Sequence, residues 1–257
     1  MNPTFYQRHQ ALILGSASIL FVLIAWETAW QAKLISPLFF NGPSGIAKQA
    51  VFAWTQGNLK SDLLYSGRNF VLGLASAIAL GVAAGVVVGW YKTVRMLFDP
   101  LLNALFAMPR VAMVPLILLW FGIGYKSKVI IIFLFAFFPV MVNTVSGMRS
   151  LDGDLLRAAR AFCATDWQIF QTVAIPGAVP FILAGVRQGV AMALIGVVIG
   201  EMFGGNEGIG FMVAYAGQTF ATDALFLGVV IVGAAGIILT WLAERLEAHF
   251  SRWRPER

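Results

Sequence analysis

Apolar residues gather into six runs along the chain, at 11–30, 68–90, 101–121, 128–148, 178–201 and 224–243. No charge interrupts Asn69–Tyr91, Val129–Met148 or Ala224–Ala243. A bilayer core about 30 Å thick takes roughly 20 residues of helix, so each run is long enough to cross it. The runs are continuous and do not alternate apolar with polar, which argues against barrel strands. Helices remain, because a spanning segment must satisfy its own backbone. The expected fold is therefore an all-α integral membrane protein of about six transmembrane helices, forming one domain over 1–257. In it the run 11–30 is an N-terminal anchor and 63–250 is the core. The first run carries Trp26 and Trp30 at its end and lacks a small-x-small cleavage site, so it reads as an uncleaved anchor rather than a signal peptide.

Lys and Arg outside the runs give the direction of crossing. With the N-terminus inside, the inner segments hold Arg8, Lys92, Arg95, Arg149, Arg157, Arg160, Arg245, Arg252, Arg254 and Arg257. The outer ones hold Lys33, Lys48, Lys60, Lys126 and Lys128, and the segment after the fifth run carries only the acids Glu201, Glu207 and Asp223. Both termini are expected to face the cytoplasm. Small residues recur at fourfold spacing in the second run (Gly73, Ala77, Gly81, Gly85, Gly89) and in the fifth (Gly185, Gly189, Ala193, then Gly196 and Gly200). Such ridges let helices approach closely in lipid, either within a subunit or at a seam between subunits.

Composition narrows the function. Hydrophobic residues make up 59% and charged ones 12%, with a mean hydropathy of +0.80, against about a quarter charged in ordinary soluble domains. The net charge of +6 sits in loops between apolar runs and so does not point to nucleic acid. The single cysteine, Cys163, excludes an intrachain disulfide and a multi-cysteine metal site. His9 and His249 lie at opposite ends, so no metal motif and no Ser-His catalytic pair is expected within the membrane.

The longest inner segment, 149–176, carries the functional signal. Its first half, Asp152 to Ala161, reads as a short helix entered through an acidic turn. Its second half spaces Trp167, Phe170 and Val173 at three-residue intervals, one apolar face, with Asp166, Gln168 and Gln171 elsewhere. Such a helix lies on a membrane or docks in a partner's groove. The absence of Lys and Arg between Ala161 and Pro176 favours the partner.

This segment resembles the cytoplasmic signature of bacterial ABC importer permeases: Glu-Ala-Ala, three residues, Gly, nine residues, Ile-x-Leu-Pro. Ala158, Ala159 and Pro176 match, Val173 and Ile175 stand for the two aliphatics, Arg157 replaces the acid and Cys163 replaces the glycine. MPRVAMVPLILLWFGIG (Met108–Gly124), FFPVMVNTVSGMRSLD (Phe137–Asp152) and IGVVIGEMFGGNEGIGFM (Ile195–Met212) are similar to the nitrate, sulfonate and taurine branch. The likeness covers nearly the whole chain. It implies the transmembrane subunit, itself no enzyme, of an ATP-driven importer for a small anionic solute in a bacterial inner membrane. Its partners would be two ATPase subunits, an extracytoplasmic binding protein and a second permease copy. The loop would be the coupling helix, with Arg157, Ala158, Ala159, Cys163, Asp166, Trp167, Phe170 and Pro176 at the ATPase. ATP and Mg would be bound by that partner, since this chain has no Gly-x4-Gly-Lys-Ser/Thr loop; its nearest string is GIGYKS at Gly122–Ser127. If Cys163 occupies the left-handed turn that suits a glycine, it costs on the order of 1 kcal/mol.

Within the spans Arg110 stands out, since an intramembrane Arg costs roughly 2.5–3.5 kcal/mol and usually faces a cavity or a partner. Placed between Pro109 and Pro115, it is either a cationic lining for an anion, with Met108 and Met113 beside it, or a partner of Asp99 or of lipid phosphate. Arg187 either faces the same pathway or snorkels to the inner surface. Glu201 is an outer gate, a binding-protein contact or a solvated helix end, and Glu27 another interfacial acid. The rival functions are an ion-coupled secondary transporter, which would want acids near the midplane, an ABC permease for a vitamin precursor, and an intramembrane enzyme.

Overall fold

The computed structural model describes residues 5–34, 36, 38–151 and 153–251, and its regular elements are all helices. Asp152, Arg252, Arg254 and Arg257 lie outside these residues, as do the side chains of Arg8, His9 and His249. In chain order the helices begin with α1 (Phe5–Gln31), α2 (Pro43–Thr55), α3 (Leu59–Trp90), α4 (Lys92–Ala107), α5 (Val114–Phe121) and α6 (Tyr125–Arg149). There follow α7 (Gly153–Ala161), α8 (Asp166–Ile169), α9 (Ile175–Phe203), α10 (Ile209–Gln218) and α11 (Thr222–Ser251). Five spans are long and apolar enough to cross a membrane, and a bent pair makes a sixth.

The chain divides into two compact units, Met1–Lys60 with Met212–Val230, and Ser61–Phe211 with Ile231–Arg257. In the first, Trp26 donates to the Asn41 carbonyl at 2.8 Å, and the Asn41 amide donates to Asp223 at 2.6 Å. Glu27 receives the Ser44 backbone N–H at 3.0 Å and its hydroxyl at 2.8 Å. It therefore satisfies an orphan donor in the first turn of α2.

In the second unit α6 lies between α3 and α9, and most of its inward residues are buried. The two ridges of small residues both face it. A Cβ on Gly85 would lie 2.5 Å from Thr144 Cβ, and one on Gly196 would lie 2.9 Å from the Ile132 Cα. Backbones can approach this closely only where side chains are missing. The ridges thus serve packing inside one subunit, and Phe70, Ala77, Ile132, Ala136, Val190 and Ala193 fill the core they enclose.

The third run is not one straight crossing. α4 stops at Ala107, Met108 is extended (φ −69°, ψ 134°), and a single tight turn over Arg110–Met113 leads into α5 at an 87° bend. Pro109 is the reason: proline pushes the residue before it out of the helical region. Pro115 then sits in the first turn of α5, where a missing N–H costs nothing.

Candidate functional site

The segment after α6 is built as a rigid elbow. α7 ends with Cys163 in the left-handed region (φ 57°), where the Ala164 N–H reaches the Ala159 carbonyl at 3.1 Å and the Cys163 N–H reaches Arg160 at 2.9 Å. That hydrogen-bond pair is the Schellman closure, which normally uses glycine at this position. Thr165 then caps α8 with a reciprocal Thr165–Gln168 capping box, leaving Asp166 in the first turn, where its charge suits the helix dipole. Arg157 pairs with Asp154 on the exposed face of α7, beside Ala158; Ala159 is half-buried.

The second half of the segment is not a free amphipathic helix. α8 widens into a π turn over Phe170–Ala174, where the Ile175 N–H bonds the Phe170 carbonyl, and runs straight into α9. Pro176 explains the widening, since it cannot donate to Thr172 and its ring crowds that carbonyl. The turn points Phe170 inward, edge-on to Trp90 at 5.1 Å, over a core of Met148, Ala174 and Ala178. Trp167 stacks on Phe170 at 5.4 Å and remains 64% exposed. Sequence reasoning missed Phe162, 88% exposed just after α7; Leu155 and Trp167 are the other large apolar residues exposed on the elbow. A large apolar residue beside a helix-ending turn was the available signal.

The four residues expected along a solute pathway are not brought together. Arg187 is held 3.3 Å from Glu247 and 3.6 Å from Glu244 of α11. Met113 packs on the core of Val114, Ile117, Ile131 and Phe135, while Met108 is exposed at the break after α4. Arg110 lies over the rings of Phe106 and Phe138, 5.3 and 5.2 Å from their centroids. Its Nε is buried without a partner, and the expected Asp99 pair does not form.

Glu201 departs from the expected solvated helix end, for it has no exposed surface. It accepts from Ser66 Oγ at 2.8 Å and from the Gly210 N–H at 2.9 Å, while Ser66 accepts from the Ile209 N–H at 2.9 Å and Asp62 from Gly208 at 2.8 Å. These bonds bind the Gly-rich turn after α9 to the start of α3, and leave Glu201 no surface to offer a binding protein. Lys128, expected in an outer loop, is 1% exposed in α6 and donates to Tyr65 Oη at 2.9 Å. Among the described residues no cluster of His, Cys, Asp and Glu has the makings of a metal site.

Residues 77–252 match the family model described as binding-protein-dependent transport system inner membrane component. The chain is 32% identical over 254 residues to the taurine transport system permease protein TauC of Escherichia coli (strain K12), covering 97% of this chain and 92% of that protein. A Bacillus subtilis (strain 168) permease named for aliphatic sulfonates, SsuC, is 31% identical over 91% of this chain and 84% of its own. In fold the chain is similar to a chain of the MetNI methionine ABC transporter in an inward-facing crystal form, with a TM-score of 0.67 at 16% identity over 77% of this chain and 98% of that one.

Proposed function

Because the chain belongs to the family of binding-protein-dependent transport system inner membrane components, we propose that it passes a small sulfonate- or taurine-like solute across the bacterial inner membrane, driven by ATP that separate subunits hydrolyse. The solute class rests on the names of its relatives. The assembly is two copies of this chain, two cytoplasmic ATPase subunits that hold ATP and Mg, and an extracytoplasmic binding protein. Both termini face the cytoplasm. The ion-coupled alternative is not favoured by this family membership.

The elbow from α7 to Pro176 is the observation that carries the coupling role. It is fixed at one end by a Schellman closure, in the middle by a capping box, and at the other end by continuity with α9. Movement imposed on Phe162 and Trp167 by a closing ATPase pair is thereby transmitted to a spanning helix instead of being lost in a flexible loop. Arg157, exposed and paired with Asp154, stands where the family's signature has its Glu.

Reconstitution tests this. Proteoliposomes holding the permease and its ATPase, loaded with ATP and given the binding protein outside, are expected to accumulate labelled taurine or an alkanesulfonate. Accumulation driven by a proton or sodium gradient with the ATPase omitted would sink the proposal.

A further inference from the structure

A cavity of about 280 Å³ lies between α3, α4 and α6. That is just below the range of roughly 300–1,000 Å³ that suits drug-sized ligands, a size for a small molecule. Most of the wall is apolar, from Val88, Leu102, Phe106, Phe138, Met141 and their neighbours. Its polar groups are Asp99 and Asn103 on α4 and Ser146 and Arg149 on α6. Asp99, Asn103 and Phe106 recur at four- and three-residue intervals, one face of a helix. Arg110, past the break that ends α4, rests its guanidinium on the rings of Phe106 and Phe138, which belong to this wall.

Among the described residues neither Arg110 nor Asp99 has an ion-pair partner. Arg110 makes no ion pair, and its Nε has no acceptor; Asp99 makes no ion pair with any described residue, nor with Arg149, which faces the same space. The hydroxyl of Ser146 is spent on the Val142 carbonyl at 2.9 Å, which leaves the Asn103 amide as the neutral donor. A cation and an acid without ion-pair partners beside an apolar recess of a membrane protein are costly, and they persist where a ligand or a pathway uses them. Asp99 and Phe106 are about 10 Å apart along the helix axis at ~1.5 Å per residue. A two-carbon zwitterion with a hydrogen bond at each end covers that length.

We infer that this cavity is a solute site within the permease, built for a small amino acid-like zwitterion with a sulfonate head: the sulfonate drawn to Arg110, the ammonium to Asp99, and Asn103 between them. The inference rests on the proposed import of a taurine-like solute and adds that the permease itself, and not the binding protein alone, discriminates 2-aminoethanesulfonate from plain ethanesulfonate.

Equilibrium binding to the purified, nucleotide-free permease–ATPase complex, with no binding protein present, tests it. Radiolabelled 2-aminoethanesulfonate is expected to bind saturably to the wild-type complex. Arg110→Gln is expected to weaken this at least tenfold, about 1.4 kcal/mol, with Arg110→Lys recovering part. Asp99→Asn is expected to shift the preference toward ethanesulfonate by at least tenfold. Asn103→Trp, which fills the cavity without removing either charge, is expected to abolish binding of both probes in a complex that still elutes intact. Absence of saturable binding to wild type, an unchanged preference in Asp99→Asn, or full binding by Asn103→Trp would overturn the inference. ATP-driven uptake by the complete wild-type system, measured in parallel, separates this from failure of the underlying proposal: uptake without cavity binding removes only the site.

Discussion

A buried carboxylate inside a membrane helix persists only while its partners stay in place. Glu201 holds the Ser66 hydroxyl and the Gly210 N–H, and the Lys128 charge is near. Glu201→Ala strands both donors, so a loss of about 1–3 kcal/mol for each is expected. Glu201→Gln keeps an acceptor and should lose clearly less. Lys128→Met alone should also destabilise, but adding it to Glu201→Gln should cost less than the two single losses together, because the uncompensated charge is then gone. Thermal unfolding of the detergent-purified variants, followed by tryptophan fluorescence, checks the order; additive losses would mean that the two residues do not interact. This pair was not legible in the sequence. Lys128 borders an uncharged run and so reads as a loop residue, and its burial depends on Tyr65 in another helix. Glu201 reads as a helix end because the Gly-rich turn that folds back over it has no periodicity to reveal it. Cys163 was legible, since alignment with a family glycine implied the left-handed turn it occupies.

At the scale of elements, long uninterrupted apolar runs were legible because length and composition alone decide them. The bend after α4 was only half legible: Pro109 and Pro115 mark the break, but the 87° angle depends on what α5 packs against. The short helices α2 and α10 were missed because neither is long enough to count as a crossing. The elbow shows the same limit, for period-three spacing put Trp167 and Phe170 on one face, while the π turn at Phe170 sends that ring inward onto Trp90. The exposed aromatics left on the elbow, and so the pair proposed to dock the ATPase, are Phe162 and Trp167. Phe162→Ala combined with Trp167→Ala should leave the unfolding temperature near wild type and release the ATPase on co-purification. Exposed aromatic anchors commonly cost 2 kcal/mol or more each on truncation, so at least several hundredfold weaker association is expected if the two add. Phe170→Ala should do the reverse, costing the permease roughly 2 kcal/mol of stability as a half-buried ring is lost. A doubly substituted permease that still retained its ATPase stoichiometrically would remove the elbow from the coupling role.

For the whole molecule, α9 determines which regions share a side of the membrane. Its 29 residues span about 43 Å at ~1.5 Å per residue, more than the ~30 Å hydrocarbon core. The elbow that precedes it and the Gly-rich turn that follows it must therefore lie on opposite sides. Arg149, Arg157 and Arg160 surround the first, whereas Glu201 and Glu207 flank the second. Lys and Arg near the spans are retained on the cytoplasmic side, which is the basis for the proposed placement of the elbow inside. Native Cys163 is exposed and offers a direct reading of that side. In cells making the permease without its ATPase, so that no docked partner shields the thiol, an impermeant maleimide should label Cys163 only after the membrane is opened. In a Cys163→Ser background, a cysteine at the exposed Asn206 should be labelled in intact cells. The inverse pattern would reverse the direction of crossing and would also put the elbow where no ATP is available, so the coupling role of Phe162 and Trp167 would fall with it.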